Sequence, residues 1–326
     1  MKPAFSVIFL TTLIGAAQGL FLALFTAQSY ALFNLLPPQS SQSFYAVGVL
    51  LVLALCALGL ASSFLHLGRP ERAWRSAAMW RTSWLSREII LLPVFMGVVL
   101  LYGLAHWTDW KPTVATLPDG VVIDGTVVLG ILGTLLAFAL FISTAMVYAC
   151  LPFLPEWHSP LTVLNYILLG GASGFTLAAA FAARSASELT GFFAGWALII
   201  TLLAFASRGA SLIRNGRLRP KSTLQTAIGI KHPRIVQKST GFMGGSFNTR
   251  EFFHGRSRSV LRSVKWGFLA TVFVLPVLLL GRGLWLDSPS ALPLAFAVQY
   301  LGLLAERWFF FAEANHPQNL YYRAIQ

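Results

Sequence analysis

Eight apolar runs, each of about 20 residues or more, constrain this chain more than any other feature. Such runs are too long for the buried helices of a globular protein and far longer than the strands of a transmembrane barrel. Of the 326 residues, 56% are hydrophobic and only 11% are charged. We therefore predict an all-α integral membrane protein, a single transmembrane domain (residues 1–326) with eight transmembrane helices. The runs cover roughly residues 4–33, 43–66, 86–106, 121–151, 160–183, 187–206, 264–284 and 290–312.

The first run is far longer than the apolar core of a signal peptide, so we interpret it as a retained helix. Small residues recur four apart in several runs, a spacing that lets helix backbones approach closely. We predict helix packing at these positions, which are Gly15 and Gly19, Gly170 and Gly174, and Gly191 and Gly195.

The positive charges predict the orientation. An even number of helices puts both ends of the chain on one face, and all lysines and arginines except Lys111, Arg184 and Arg282 then fall on that face. Because cytoplasmic loops are enriched in Lys and Arg, we expect cytoplasmic N and C termini. The net charge of +13 is secondarily suited to anionic membrane lipids or an acidic protein partner. No nucleic-acid-binding motif accompanies it, so we predict no nucleic-acid partner.

The sixth connection, about residues 207–263, is the only sizeable part predicted outside the membrane. Its many cations and its single acid, Glu251, are typical of a solvated or disordered tail. However, aromatic residues alternate with glycines over 241–254, and these aromatics gain nothing in solvent. We favour a basic cytoplasmic loop that docks a partner protein. The predicted docking residues are Phe242, Met243, Phe247, Arg250, Phe252 and Phe253.

The chain offers few ligands for a resident cofactor. Cys56 and Cys150 are isolated, which excludes a cysteine ligand set for an iron–sulfur cluster and a disulfide framework. His66 and His106 fall at opposite ends of their helices, so they cannot share one haem. We therefore expect no haem, no iron–sulfur cluster and no metal site in this chain, and any cluster must belong to a partner.

Several polar residues are predicted to share one depth. Counted inward at about 1.5 Å per residue, they lie within about two turns of the cytoplasmic face. Such a layer suits a quinone, which needs hydrogen bonds to two oxygens and proton exchange with water. His66 and Glu88 are the candidate proton-handling residues of a quinone site. The remaining members of the layer are Tyr148, Asn165, Tyr166, Glu306 and Arg307.

The motif from His66 to Glu88 also has a simpler interpretation. Arginines just outside a helix usually anchor topology, and tryptophans there usually form an interfacial belt. Glu88 would be structural if Arg69 or Arg87 paired with it, although a carboxylate next to lipid is costly unless it is used or paired. We retain these residues as supporting candidates for the quinone site: Arg69, Arg72, Trp74, Arg75, Arg81, Trp84 and Arg87.

Three segments, residues 66–74, 83–88 and 314–322, resemble the DmsC-type membrane anchors of molybdenum oxidoreductases, which are related to the NrfD and polysulfide reductase anchors. The resemblance implies a complex of a molybdopterin catalytic subunit, an iron–sulfur electron-transfer subunit and this anchor, which exchanges electrons with ubiquinone or menaquinone. It implies that the basic loop docks the iron–sulfur subunit. It also implies that His66 and Glu88 are quinone-site residues.

Within this family, residues 229–234 and 241–250 are most similar to the membrane subunits of cytoplasmic sulfite:quinone oxidoreductases. We expect such a complex in a bacterial inner membrane, with catalytic partners on the cytoplasmic side and electrons passing from sulfite to quinone. A quinol-oxidising anchor of a dimethyl sulfoxide or polysulfide reductase is the alternative. An ion transporter is a remote one, because Gln18 is the most polar residue near mid-membrane depth in the first helix.

Overall fold

The computed structural model describes residues 1–65, 67–118, 120–219, 223–235, 255–286, 288 and 290–317. Within these residues, eight helical segments are long and apolar enough to cross a membrane, which confirms the predicted all-α class. Six segments are the helices α1 (Phe5–Leu32), α2 (Val47–Phe64), α3 (Trp84–Trp107), α4 (Gly125–Ala149), α5 (Pro160–Ser185) and α6 (Thr190–Gly216). After the short α7 (Leu224–Ile228), the others are formed by α8 (Arg258–Leu269) with α9 (Leu275–Trp285), and by α10 (Ala291–Glu313).

Short elements of other geometry join or extend these helices. A π-helical turn, Ser41–Ala46, leads into α2, and another, Ala270–Val274, connects α8 to α9 within one span. The 3-10 helix Pro70–Ala77 follows α2, and a second one, Ser187–Leu189, precedes α6. Two antiparallel strands, β1 (Thr113–Thr116) and β2 (Val122–Asp124), form a hairpin between α3 and α4 that the apolar pattern did not predict.

Helix α1 lies at the centre of the bundle, where it packs against α2, α4, α5 and α10. Its closest partner is α5, and glycines allow this approach. A methyl group added at Gly174 would clash with the backbone of Gly19, and one added at Gly19 would clash with the backbone of Gly170. The predicted packing role is therefore confirmed for these glycines, because only hydrogen fits between the two backbones.

Gly191 and Gly195 do not mediate close helix packing in the described structure. A methyl group at Gly195 would meet no atom within 4 Å, and one at Gly191 would only touch Leu284 at 4.0 Å. The expectation of close packing was wrong here. The spacing of four identifies glycines on one helix side, but it does not say whether another helix lies on that side.

The start of the chain, ahead of α1, and the end of α10 lie together on one face of the helix bundle. The Met1 amino group donates hydrogen bonds to the carbonyl oxygens of Phe311 (3.1 Å) and Ala314 (2.8 Å), at the end of α10. We call this side the terminal face. Since the spans alternate in direction, α3 and α5 begin there, and α2, α4 and α6 end there.

The sixth connection is shorter than the apolar runs predicted. Helix α6 continues to Gly216, and α8 begins at Arg258. Polar residues end an apolar run in the sequence, but α6 buries Arg208, Ser211 and Leu212 against its neighbours and therefore remains helical. The predicted docking residues lie within 236–254, outside the described residues.

Candidate functional site

Glu88 lies one turn inside α3, about 6 Å from the start of the helix. Ser83 caps this helix and accepts a hydrogen bond from the Ser86 backbone N–H (3.3 Å). The cap fixes the first turn, so that Glu88 faces α4. There its Oε1 accepts a hydrogen bond from Thr144 Oγ1 at 2.8 Å. Glu88 is only partly buried: it reaches into the bundle while remaining accessible from outside.

The alternative that an arginine neutralises Glu88 finds no support in the described contacts. Arg87 donates instead to the backbone carbonyl oxygens of Trp80 (2.9 Å) and Arg81 (2.8 Å). Its guanidinium carbon lies 4.2 Å from the centre of the Trp84 ring. Arg69 is exposed in the turn before the first 3-10 helix. Arg87 therefore fixes the segment ahead of α3 and does not pair with the carboxylate.

Inside the bundle, Glu88 borders a small cavity of about 20 Å³, which we call the inner cavity. This volume accommodates about one water molecule and is far too small for a quinone ring. Carboxylate, hydroxyl, amide and guanidinium groups all reach it. The lining residues are Thr11, Thr12, Ile14, Gly15, Gln18, Glu88, Phe141, Thr144, Tyr166, Leu169, Gly170, Ser173, Leu303 and Arg307.

A buried ion cluster lies next to this cavity. Arg208 Nε is 2.7 Å from Glu306 Oε1, and Arg307 Nε is 3.0 Å from Glu306 Oε2. Arg208 Nη2 also approaches Glu313 Oε2 at 4.0 Å. The side chains of Arg208 and Glu306 are only 3% and 1% exposed, so the charges depend on one another for solvation.

Tyr166 links this cluster to the aromatic residues around it. The Arg307 guanidinium carbon lies 3.9 Å from the centre of the Tyr166 ring, which is a cation–π contact. On another side, the Tyr148 ring stacks near Tyr166 with centroids 5.9 Å apart. These contacts place a phenol hydroxyl among charged groups at the terminal end of the bundle.

A second cavity, of about 10 Å³, borders the ion cluster and is called the outer cavity. Asn165 donates from Nδ2 to Ser211 Oγ (2.7 Å), whereas its buried Oδ1 has no hydrogen-bond partner among the described residues. The lining residues are Glu156, Thr162, Asn165, Tyr166, Arg208, Ser211, Glu306, Arg307 and Phe310.

The structure thus gathers most of the predicted polar layer. Glu88, Tyr166 and Arg307 line the inner cavity, and Asn165 and Glu306 line the outer one. Tyr148 packs beside them. His66 lies outside the described residues.

The other supporting candidates lie on the exposed segment before α3, apart from Trp84 and Arg87 in the first turn of that helix. Two arginines of the segment stack on neighbouring tryptophans, Arg75 on Trp74 at 5.5 Å and Arg81 on Trp80 at 5.3 Å. Arg72 Nε lies 3.9 Å from Glu71 Oε1, which is long for an ion pair, and both side chains are exposed. In the described structure, none of these residues lines either cavity. Their placement at the membrane surface fits the anchoring role of Arg and Trp at an interface.

The structure also adds residues that the sequence did not single out, above all Thr144 and Arg208. Arg208 was assigned to the basic loop, and this was wrong because α6 extends past it and buries it. Arg208 lies two residues beyond the end of an apolar run, so the sequence placed it outside the helix. A hydroxyl such as that of Thr144 is common in apolar helices, so nothing in the sequence marks it as the partner of Glu88.

His106 lies at the opposite end of α3, as the depth argument predicted. It is buried between the rings of Tyr45 and Tyr102, each with centroids 4.6 Å away, and Nδ1 lies 3.3 Å from Ser41 Oγ. We call the side of the bundle opposite the terminal face the far face. His106 contacts residues near the far face and lies outside the layer around Glu88.

With this geometry in place, comparison with known proteins identifies the family. The family model for the DMSO reductase anchor subunit (DmsC) matches residues 1–231. The chain belongs to the DmsC family. It is also 57% identical to a sulfite dehydrogenase subunit of Allochromatium vinosum over 325 residues, which is 100% of both chains. The resemblance inferred from the motifs is thereby confirmed, and this DmsC-family chain is the membrane anchor subunit of an oxidoreductase complex.

Proposed function

We propose that this DmsC-family anchor is the quinone-reactive subunit of a complex that oxidises sulfite. The observation that carries the proposal is the position of Glu88. The residue is partly exposed on the outside of the bundle and also borders a polar inner cavity. Such a group can pass a proton between internal water and a quinone beside α3.

The chemistry requires both electrons and protons. A quinone takes up two electrons and two protons to become a quinol, and this chain supplies no redox centre of its own in the proposal. A reduced iron–sulfur cluster on a partner subunit delivers the electrons, and a molybdopterin catalytic subunit takes them from sulfite. The inner cavity is too small for the quinone ring, so the ring binds on the outer side of Glu88, and His66 remains a proposed member of this site from the family resemblance alone.

The substrate and the sidedness rest on separate support. The name of the A. vinosum relative favours sulfite as the electron donor. The excess of Lys and Arg on the terminal face favours a cytoplasmic location for that face and for the catalytic partners. In right-side-out vesicles, added sulfite should then drive quinone reduction only after the membrane has been made permeable.

The variant Glu88→Gln tests the role of Glu88 in the complete complex. Glutamine keeps the shape and can still bond Thr144, but it cannot release a proton. We expect sulfite-dependent quinone reduction to fall by about 100-fold or more, the lower end of the effect of a general acid. Sulfite oxidation by an artificial acceptor that draws electrons from the partner subunits should remain unchanged.

Glu71→Gln provides the matched control. Glu71 lies in the connection that precedes α3, is exposed and makes only a long contact with Arg72, so both activities should be retained. Quinone reduction at the normal rate by Glu88→Gln would contradict the proposal. Equal loss of both activities would assign Glu88 to assembly instead.

A further inference from the structure

The inner and outer cavities adjoin each other at two shared residues. Tyr166 and Arg307 line both of them. The inner cavity ends at Glu88, and the outer cavity reaches Glu156 in the connection between α4 and α5. Two polar spaces with a common wall therefore extend from Glu88 toward the terminal face.

Both cavities have the size and lining of water sites. Volumes of about 20 and 10 Å³ each correspond to about one water molecule. In the outer cavity, Asn165 is 5% exposed, and its Oδ1 lacks a partner among the described residues. Buried polar atoms of this kind are normally satisfied by ordered water.

The buried ion cluster is a further observation that indicates a function for the two cavities. Charges within a membrane bundle are costly, and apolar residues of similar volume would pack there at least as well. Glu306 lines the outer cavity and contacts both Arg208 and Arg307. The cluster therefore places charged groups, which can hold water, around the outer cavity and its boundary with the inner one.

The outer end of this path lies at the terminal face, where two carboxylate residues are partly exposed. Glu156 is partly exposed at the terminal face, and burial raises the pKa of its carboxyl. Glu313, at the end of α10, is 19% exposed and contacts Arg208 at 4.0 Å. Two carboxyl groups thus lie where the buried cluster meets the surface.

On the other side, the inner cavity is bounded by apolar packing. Gln18 lines this cavity and donates from Nε2 to the Ala137 carbonyl oxygen at 2.7 Å. Leu20, Phe21 and Leu24 follow it on α1 and are fully buried. The next side-chain amide contacts on α1 are part-buried ones at Gln28, which accepts from Tyr102 and donates to Thr126 about 15 Å further along the helix.

We infer that the two cavities form a proton-uptake route from the terminal face, past Glu156, the ion cluster and Tyr166, to Glu88. The inference rests on the proposed quinone reduction. Each quinone gains two electrons, which pass one at a time through the partner's iron–sulfur cluster, and two protons from water at this face. Glu88 transfers a proton to a quinone oxygen and is reprotonated through the inner cavity. The Tyr166 hydroxyl is a positioning group that joins the water sites.

Tyr166→Phe tests the route in the complete complex, because it removes one hydroxyl and keeps the ring that contacts Arg307. We expect quinone reduction to slow about tenfold, the order expected for one lost hydrogen-bonded link. The solvent deuterium isotope effect should increase, and acetic acid, a small proton donor, should restore part of the rate. The apparent affinity for quinone and the rate with an artificial acceptor should not change.

Tyr102→Phe is the matched control, since it removes a buried tyrosine hydroxyl at the far face, where Tyr102 donates to Gln28 at 2.7 Å. It should change neither the isotope effect nor the response to acetic acid. If Tyr166→Phe does not assemble, Asn165→Leu, which fills the outer cavity with an apolar group of similar size, should produce the same slow, acid-rescued reaction.

The outcome that overturns the route is distinct from failure of the proposed function. Normal quinone reduction by Tyr166→Phe or Asn165→Leu, with an unchanged isotope effect, would exclude the route while leaving the role of Glu88 intact. A slow variant that acetic acid does not rescue would assign Tyr166 to packing. A wild-type complex that does not reduce quinone at all would instead contradict the proposed function.

Discussion

Charge burial distinguishes two arginines that look alike in the sequence. Arg208 and Arg282 both lie near the end of a spanning helix, but Arg208 is 2% exposed and paired with Glu306, whereas Arg282 is exposed. The difference comes from helices that pack beside Arg208 and from an acidic residue nearly 100 positions later in the chain. The residues next to each arginine in the sequence reveal neither the packing helices nor the distant acid. From the sequence, both arginines therefore served only to predict the orientation of the helices.

Arg208→Met should destabilise the protein because Glu306 and Glu313 would lose a buried positive partner. We expect a loss of about 3 kcal/mol or more of unfolding free energy, as for other broken buried ion pairs. Arg282→Met, the exposed counterpart, should stay within about 0.5 kcal/mol. Unfolding of both variants in detergent, followed by circular dichroism, measures the difference. Equal stability of the two would show that the ion cluster contributes nothing to the fold.

The helices were largely predictable, and their ends were not. Apolar runs of about 20 residues identify spans because the membrane requires internally bonded backbone over that length. However, α6 extends ten residues past its run and α8 begins six residues before its own, since polar residues at a bundle end can be helical. The hairpin of β1 and β2 was missed because its short strands carry no periodic signal.

Close packing of α1 and α5 depends on Gly174. In Gly174→Ala the new methyl group would clash with the Gly19 and Leu20 backbones, and neither helix can relieve this by a rotamer change. We expect a loss of about 3 kcal/mol or more, at or above the upper end of overpacking effects. Gly195→Ala has open space around it and should be neutral or more stable, because alanine favours helix.

Thermal unfolding of the two glycine variants in the same detergent provides the comparison. A normal midpoint for Gly174→Ala would mean that α1 and α5 lie further apart than the structure places them. A large loss in Gly195→Ala would mean that another surface covers α6 at that position.

The sequence predicted the depth of the candidate site in the membrane but not its contacts or cavities. Counting residues from the helix ends placed Glu88, Tyr166 and Glu306 in one layer, because the rise of a helix is constant. It could not show that Glu88 bonds Thr144 or that the layer contains two separate cavities. Those features depend on helix rotation and on contacts between distant segments, such as the meeting of α6 with α10.

The bundle as a whole has two unlike ends. The terminal face carries the buried ion cluster, both cavities and most of the positive charge. The far face carries the hairpin and the packed rings around His106. Because the ion cluster and both cavities of the described structure lie at the terminal end, the proposed function predicts that electrons and protons reach the quinone from that side.

The central claim is that this chain connects sulfite oxidation to quinone. The most direct measurement compares inverted membrane vesicles that carry the complete complex with vesicles that carry the same partner subunits held by an unrelated membrane anchor. Sulfite should reduce membrane quinone only when this chain is present, while an artificial acceptor should be reduced in both. Equal rates of quinone reduction with and without this chain would contradict the account.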